Sequence, residues 1–156
     1  MKVEIKSRRD ESVLFTAEIP DDTPQELQTR LALEQAVGSN ANLANANLVG
    51  ADLAYANLAN ANLVGADLTG ASYGDGVPMT KPPLQIYGLR WPVLILDTHM
   101  KIGCELHSLA DWFSFDDTRI AKMDGKSARQ FWDAWKEPLC ATCIAGGREI
   151  GKGTSQ

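Results

Sequence analysis

The chain has 156 residues, 44% of them hydrophobic, and 15 Lys and Arg against 20 Asp and Glu leave a formal net charge of −5. No run approaches the ~18 apolar residues of a membrane helix, and Met1-Lys2-Val3-Glu4 opens without an apolar signal core, so neither membrane insertion nor secretion is expected. Three cysteines, an odd number, fit a reducing cytoplasm better than a disulfide framework.

In chain order, Val3-Glu4-Ile5-Lys6 and Val13 to Ile19 read as two strands joined by the polar turn Arg8-Arg9-Asp10-Glu11-Ser12. Thr23-Pro24-Gln25-Glu26 then supplies an N-cap, a first-turn proline and a capping-box Glu for a helix running through Leu27, Leu31 and Leu33 toward Gly38.

From Ala36 to Asp75 the chain repeats Ala-Asn/Asp-Leu-x-x in five-residue blocks. Ala41-Asn42-Leu43, Ala46-Asn47-Leu48, Ala51-Asp52-Leu53, Ala56-Asn57-Leu58, Ala61-Asn62-Leu63 and Ala66-Asp67-Leu68 stay in register, followed by Ala71-Ser72-Tyr73. Five fits neither the 3.6 period of a helix nor the two of a strand, so the chain must turn once per block. With one block per side of a square, Leu and Ala point inward, the Asn/Asp positions face water, and Gly50, Gly65, Gly70, Asn45 and Asn60 fall where corners need permissive backbone. Four blocks per coil stack Leu43 on Leu63, Leu48 on Leu68 and Leu53 on Tyr73. They also set Asp52 beside Ser72 and Asp67 beside Asn47, so no acidic ladder forms.

This register resembles the pentapeptide-repeat family, and the resemblance implies a right-handed quadrilateral β-helix. Eight blocks give about two coils, which need caps at their ends. The expected fold is therefore mainly β, with four parts. They are an N-terminal β-hairpin and capping helix (1–38), the repeat β-helix (39–76), a C-terminal α+β cap or interaction module (77–146) and a flexible tail (147–156).

Beyond Gly76 the composition turns aromatic and charged, punctuated by Pro78, Pro82 and Pro83. Leu84 to Tyr87, Val93 to Leu96 and His99 to Ile102 are β-like runs. Ser108 to Asp111 is a capping box leading into Trp112 and Phe113. Asp116 or Asp117 caps a piece from Thr118 to Met123 that Asp124-Gly125 ends. From Lys126, the residues Ala128, Phe131, Trp132, Trp135 and Leu139 form one apolar stripe, with Pro138 kinking or ending the helix. Gly146-Gly147-Arg148 to Gly153 approximates a phosphate loop, but Gly stands where Ser or Thr belongs and no helix follows, so it reads as a frayed tail.

Residues 1–76 carry five basic and eleven acidic side chains, and residues 77–156 ten and nine. Candidate ligand- or partner-binding residues therefore gather in the second half: Arg90, Trp91, Lys101, His107, Arg119, Lys122 and Arg129. Cys104, His107, Cys140 and Cys143 would suit tetrahedral zinc, yet cysteines near the end of an apolar helix serve more often as small hydrophobes. No cofactor is expected and no catalytic set emerges.

The full layout also resembles small pentapeptide-repeat proteins of tailed phages and prophages. That likeness implies a viral accessory protein made in the bacterial host cytoplasm; the inert Asn/Ala faces and the residue-rich C-terminal cap point to a non-catalytic protein that binds and inhibits a host macromolecule such as an antiviral-defence component, and the exposed ends of a two-coil prism to a homodimer. One alternative is a sponge holding an anionic nucleotide signal on Arg90, Lys101, Arg119, Lys122 and Arg129. Another is a DNA mimic that inhibits DNA gyrase. Neither direct nucleic-acid nor membrane binding is expected.

Overall fold

The computed structural model describes residues 1–53, 56, 58, 61–73 and 76–151. The chain divides into two compact units, Met1–Pro83 and Leu84 onward. Both helices and strands build them, so the fold is mixed rather than mainly β: the repeats pair through isolated bridges, and two helical pieces within Asp117–Ala145 dominate the second unit.

In the first unit β1 (Lys2–Lys6) and β2 (Val13–Glu18) form an antiparallel hairpin with an irregularity between Ile5 and Lys6. Helix α1 (Gln25–Gly38) buries Ala32, Leu33, Ala36 and Val37. Its Gln35 amide donates to the Glu18 carbonyl at 2.8 Å and accepts from the Glu18 N–H at 3.2 Å, tying the helix to β2. The Thr23 capping box does not form. Thr23 N–H closes a turn onto the Pro20 carbonyl at 3.1 Å, its own carbonyl accepts from the Gln28 side chain, and Pro24 takes the cap position with no side-chain cap.

Each repeat block closes one tight turn: the N–H of Ala46, Ala51, Ala56, Ala61, Ala66 and Ala71 donates to the carbonyl of the Leu three residues earlier. Leu43, Leu48, Leu53, Leu58, Leu63 and Leu68 are all at most 3% exposed, and the alanines that follow them are buried too. The leucine-and-alanine lining expected from the five-residue period is therefore present. Parallel bridges join Asn42 to Asn62, Asn47 to Asp67 and Asp52 to Ser72, each spanning four blocks. Asn45, Gly50, Gly65 and Gly70 have positive φ; Asn60, the other expected corner, lies outside the described residues.

The repeats are flanked on both sides by extended chain. Just past β1, Ser7 bridges Ala46, with Asn47 N–H donating to Lys6 O and Arg8 N–H to Asn45 O. After the last block, β3 (Ala71–Tyr73) pairs antiparallel with β4 (Val77–Met79). Strand β4 thus pairs with the repeats although its composition suggests the C-terminal module.

The second unit is a four-stranded antiparallel meander of β5 (Leu84–Ile86), β6 (Val93–Ile95), β7 (His99–Ile102) and β8 (Glu105–Ser108), followed by α2 (Leu109–Ser114) and α3 (Asp117–Ala145). The β8 strand was not apparent from composition. Ser108 Oγ accepts the Asp111 N–H at 3.0 Å and Asp116 Oδ1 the Arg119 N–H at 2.8 Å, so both expected caps form. Helix α3 breaks at Asp124-Gly125, where Gly125 has φ +58°. Past that break it continues through Pro138 to Ala145, so the proline does not end it. The stripe Ala128, Phe131, Trp132 and Leu139 packs with Val93, Ile95, Met100, Leu109, Trp112 and Ile120 in one core.

The chain after α3 is not frayed as far as Gly151. Arg148 is 6% exposed, its N–H donates to Cys143 O at 2.9 Å, and its guanidinium donates to Gly146 O at 2.7 Å and Leu96 O at 3.4 Å. Ile150 packs against the core. Residues 152–156 lie outside the described residues.

Candidate functional site: an aromatic cleft in the second unit

An open, largely apolar cleft lies between the meander and the two pieces of α3. The β7–β8 turn contributes Ile102, Gly103, Cys104 and Glu105. Gly103 is required there: its φ is +58°, and a Cβ would lie 3.1 Å from Cδ1 of Trp91. Trp91 in turn meets Phe131 edge to face at 5.3 Å between centroids. Helix α2 supplies Trp112.

Because α3 breaks at Asp124-Gly125, residues on both sides of the break reach the same cleft. Ile120, Met123 and Asp124 come from one piece, and Ala128, Phe131 and Trp132 from the other. Ala128, a methyl between larger neighbours on the stripe, leaves room that a bulky residue would fill.

Two of the lining indoles are buried but differ in their polar atom. Trp112 Nε1 donates to the Met100 carbonyl at 2.6 Å. Trp132 is 4% exposed, and its Nε1 is buried with no hydrogen-bond partner. Such a buried donor costs ~1–3 kcal/mol when unpaired. The charged groups of the lining are Glu105 and Asp124, both acidic.

Of the seven candidate binding residues singled out from sequence, Trp91 alone lines the cleft, and of the candidate zinc set Cys104 alone does. Arg90 stacks on the Trp91 ring at 5.0 Å and Arg119 on Phe115 at 4.8 Å. Arg129 pairs with Asp117 at 2.8 Å, Lys101 lies on β7 opposite Leu94 and Leu106, and Lys122 is exposed on α3. His107 Nε2 lies 2.7 Å from Glu105 Oε2, with its ring edge-on to Trp112 and Phe115. Phe131 and Trp132 belong to the apolar stripe expected from sequence, and with Trp112 they are buried in the core; the signal that they also border a cleft is the small Ala128 beside the Asp-Gly break.

The zinc set is not assembled: among the described residues no three His, Cys, Asp or Glu side chains gather to hold a metal. Cys104 is exposed in its turn, whereas Cys143 is buried on α3 and burial pushes its thiol up to about 11.

The repeat faces look different. Asn42 Oδ1 accepts from Ala44 N–H and from the Asn62 amide, Asn47 from Val49 N–H, and Asp67 from Thr69 N–H and Oγ1. These side chains are spent on holding the turns. The bridged pairs Asn47/Asp67 and Asp52/Ser72 each carry one acid, so acids do not stack across them.

No described helix is long and apolar enough to cross a membrane. Comparison with curated proteins and with solved structures gives no match. The family model for pentapeptide repeats matches residues 33–72 in eight copies, a span that takes in the leucines recurring at fives.

Proposed function

We propose that the protein is a non-catalytic binding protein. Its repeats act as a rigid right-handed, four-sided coil of about two turns, and its second unit engages a host macromolecule and inhibits it. The observation carrying this reading is the open aromatic cleft with Glu105 and Asp124 in its lining, because concave, mostly apolar sites with a few polar groups are where proteins bind. The repeat side chains, by contrast, are occupied with their own turns. The bacterial setting rests on the resemblance of the sequence layout to small phage and prophage proteins. Glu105 and Asp124 in the lining weigh against an anionic nucleotide as occupant, and the mixed pairs along the repeats weigh against a DNA mimic.

The test is co-purification from bacterial cells of a partner with the tagged full-length chain. Asp124→Lys alters the exposed rim of the cleft, and Val64→Ser alters the exposed repeat surface. Recovery of the partner should drop about tenfold or more with Asp124→Lys, as for loss of a hot-spot contact, and stay unchanged with Val64→Ser. The reverse pattern, or no partner at all, refutes the reading.

A further inference from the structure

We infer that the cleft of the second unit receives the aliphatic stem and ammonium group of a lysine presented by the partner protein. The inference rests on the reading that this unit engages a macromolecule, and it names the chemistry that enters the cleft.

Charge is the first observation. Glu105 and Asp124 border the cleft, and no Lys, Arg or His does. Both acids are within reach of an occupant: Asp124 is exposed, and the Glu105 side chain is 34% exposed. Glu105 spends Oε2 on His107 Nε2, and the ion pairs of the described residues leave Asp124 out. Lys122 and Lys126, near Asp124 in the chain, are exposed and stand outside the lining. An anion entering the cleft would meet two carboxylates and no cation in its walls, whereas an ammonium meets charged acceptors.

The walls are the second observation. Trp91, Ile102, Met123 and Phe131 give the cleft an apolar lining, along which a lysine can lay its methylene stem while its charged head stays at the carboxylates.

Size is the third. The cavity volume is about 70 Å³, roughly half of the ~150 Å³ that admits benzene in an engineered cavity. One unbranched side chain fits such a space, and the rest of its owner stays outside, which suits a protein partner better than a free ring compound. Arginine suits the cleft less well. Its flat guanidinium favours a ring face, and the Trp91 ring already carries Arg90 at 5.0 Å.

Nα-acetyl-lysine N-methylamide and its norleucine and arginine counterparts separate these terms. The first two share a stem and differ by the charge; the first and third share the charge and differ in its shape. Each is titrated at low salt into the ¹⁵N-labelled full-length chain while the Gly103 amide and the Trp91 indole N–H are followed, the latter identified by its loss in Trp91→Phe. The lysine compound should move both resonances saturably and weaken as salt is added. It should bind about fivefold more tightly than the norleucine compound, and more tightly than the arginine compound. Asp124→Asn, an isosteric change at an exposed residue, should bring the lysine compound close to the norleucine one while the norleucine compound binds as before, a split that loss of the fold would not produce. Glu105→Gln, which keeps a carbonyl oxygen to face His107, should act in the same direction. The inference is overturned if both resonances stay still through the millimolar range, if the norleucine compound matches the lysine one in the wild type, if the arginine compound binds best, or if neither substitution narrows the difference. A captured partner without a lysine preference would leave the macromolecular reading standing and sink this inference; a lysine preference with no captured partner would sink that reading and leave the ammonium chemistry of the site standing.

Discussion

At Gly65 the backbone holds φ at +70°, and a Cβ would lie 2.7 Å from Asn45 Oδ1, the side chain of a residue that is itself at φ +63°. The Asn45 N–H donates to Val64 O at 2.8 Å, so these two corners are locked together across four blocks. Gly65→Ala should cost about 1–2 kcal/mol for the left-handed backbone, read as a lower midpoint in chemical denaturation; a change below ~0.3 kcal/mol would mean that the corner relaxes freely. Cys143 gives a pH prediction. Burial raises its thiol to about 11 from an ordinary value of about 8.5, so the folded chain holds a proton that the unfolded chain releases first. The stability linked to that proton is fully present below pH ~8.5 and is lost as the pH climbs toward 11. Cys143→Ala should flatten the decline of stability above pH 9 relative to wild type, and at pH 8 an alkylating reagent should modify exposed Cys104 well before Cys143.

The elements show which sequence signals survive tertiary context. Ser108 and Asp116 cap their helices because each is followed three residues later by a free helical N–H in reach. Thr23 carries the same local signal and fails, since the helix takes Pro24, one residue later, as its cap position and has no side-chain cap. Asp116→Ala should therefore destabilise the second unit by ~1 kcal/mol, and Thr23→Ala should leave α1 essentially unchanged; similar losses for both would contradict the cap assignments. Leucines at fives made the repeat lining legible because the period itself demands a turn in each block. Neither β8 nor the docking of Arg148 was legible: β8 is defined by its pairing to β7, and Arg148 by carbonyls at Leu96 and Gly146. The cleft was half legible. Its aromatic residues stood out, but the orphaned nitrogen of Trp132 and the space beside Ala128 are facts of packing that no local pattern encodes.

On the scale of the whole molecule, the two units carry separate reporters. All four tryptophans, at 91, 112, 132 and 135, belong to the second unit, and the repeat lining belongs to the first. Each unit buries its own apolar cluster, Leu43 to Leu68 with the alanines in one and Trp132 with its neighbours in the other, and a unit with its own core can unfold by itself. Tryptophan fluorescence then follows the second unit alone. Gly65→Ala should lower a melting transition seen in the repeat amide resonances by several degrees, at ~4–8 °C per kcal/mol for a unit of this size, and leave the fluorescence midpoint in place. Asp116→Ala should shift the fluorescence midpoint and spare the repeat resonances. If either substitution moved both transitions equally, the chain would be a single cooperative body, and the repeats would stabilise the cleft directly instead of acting as an independent scaffold.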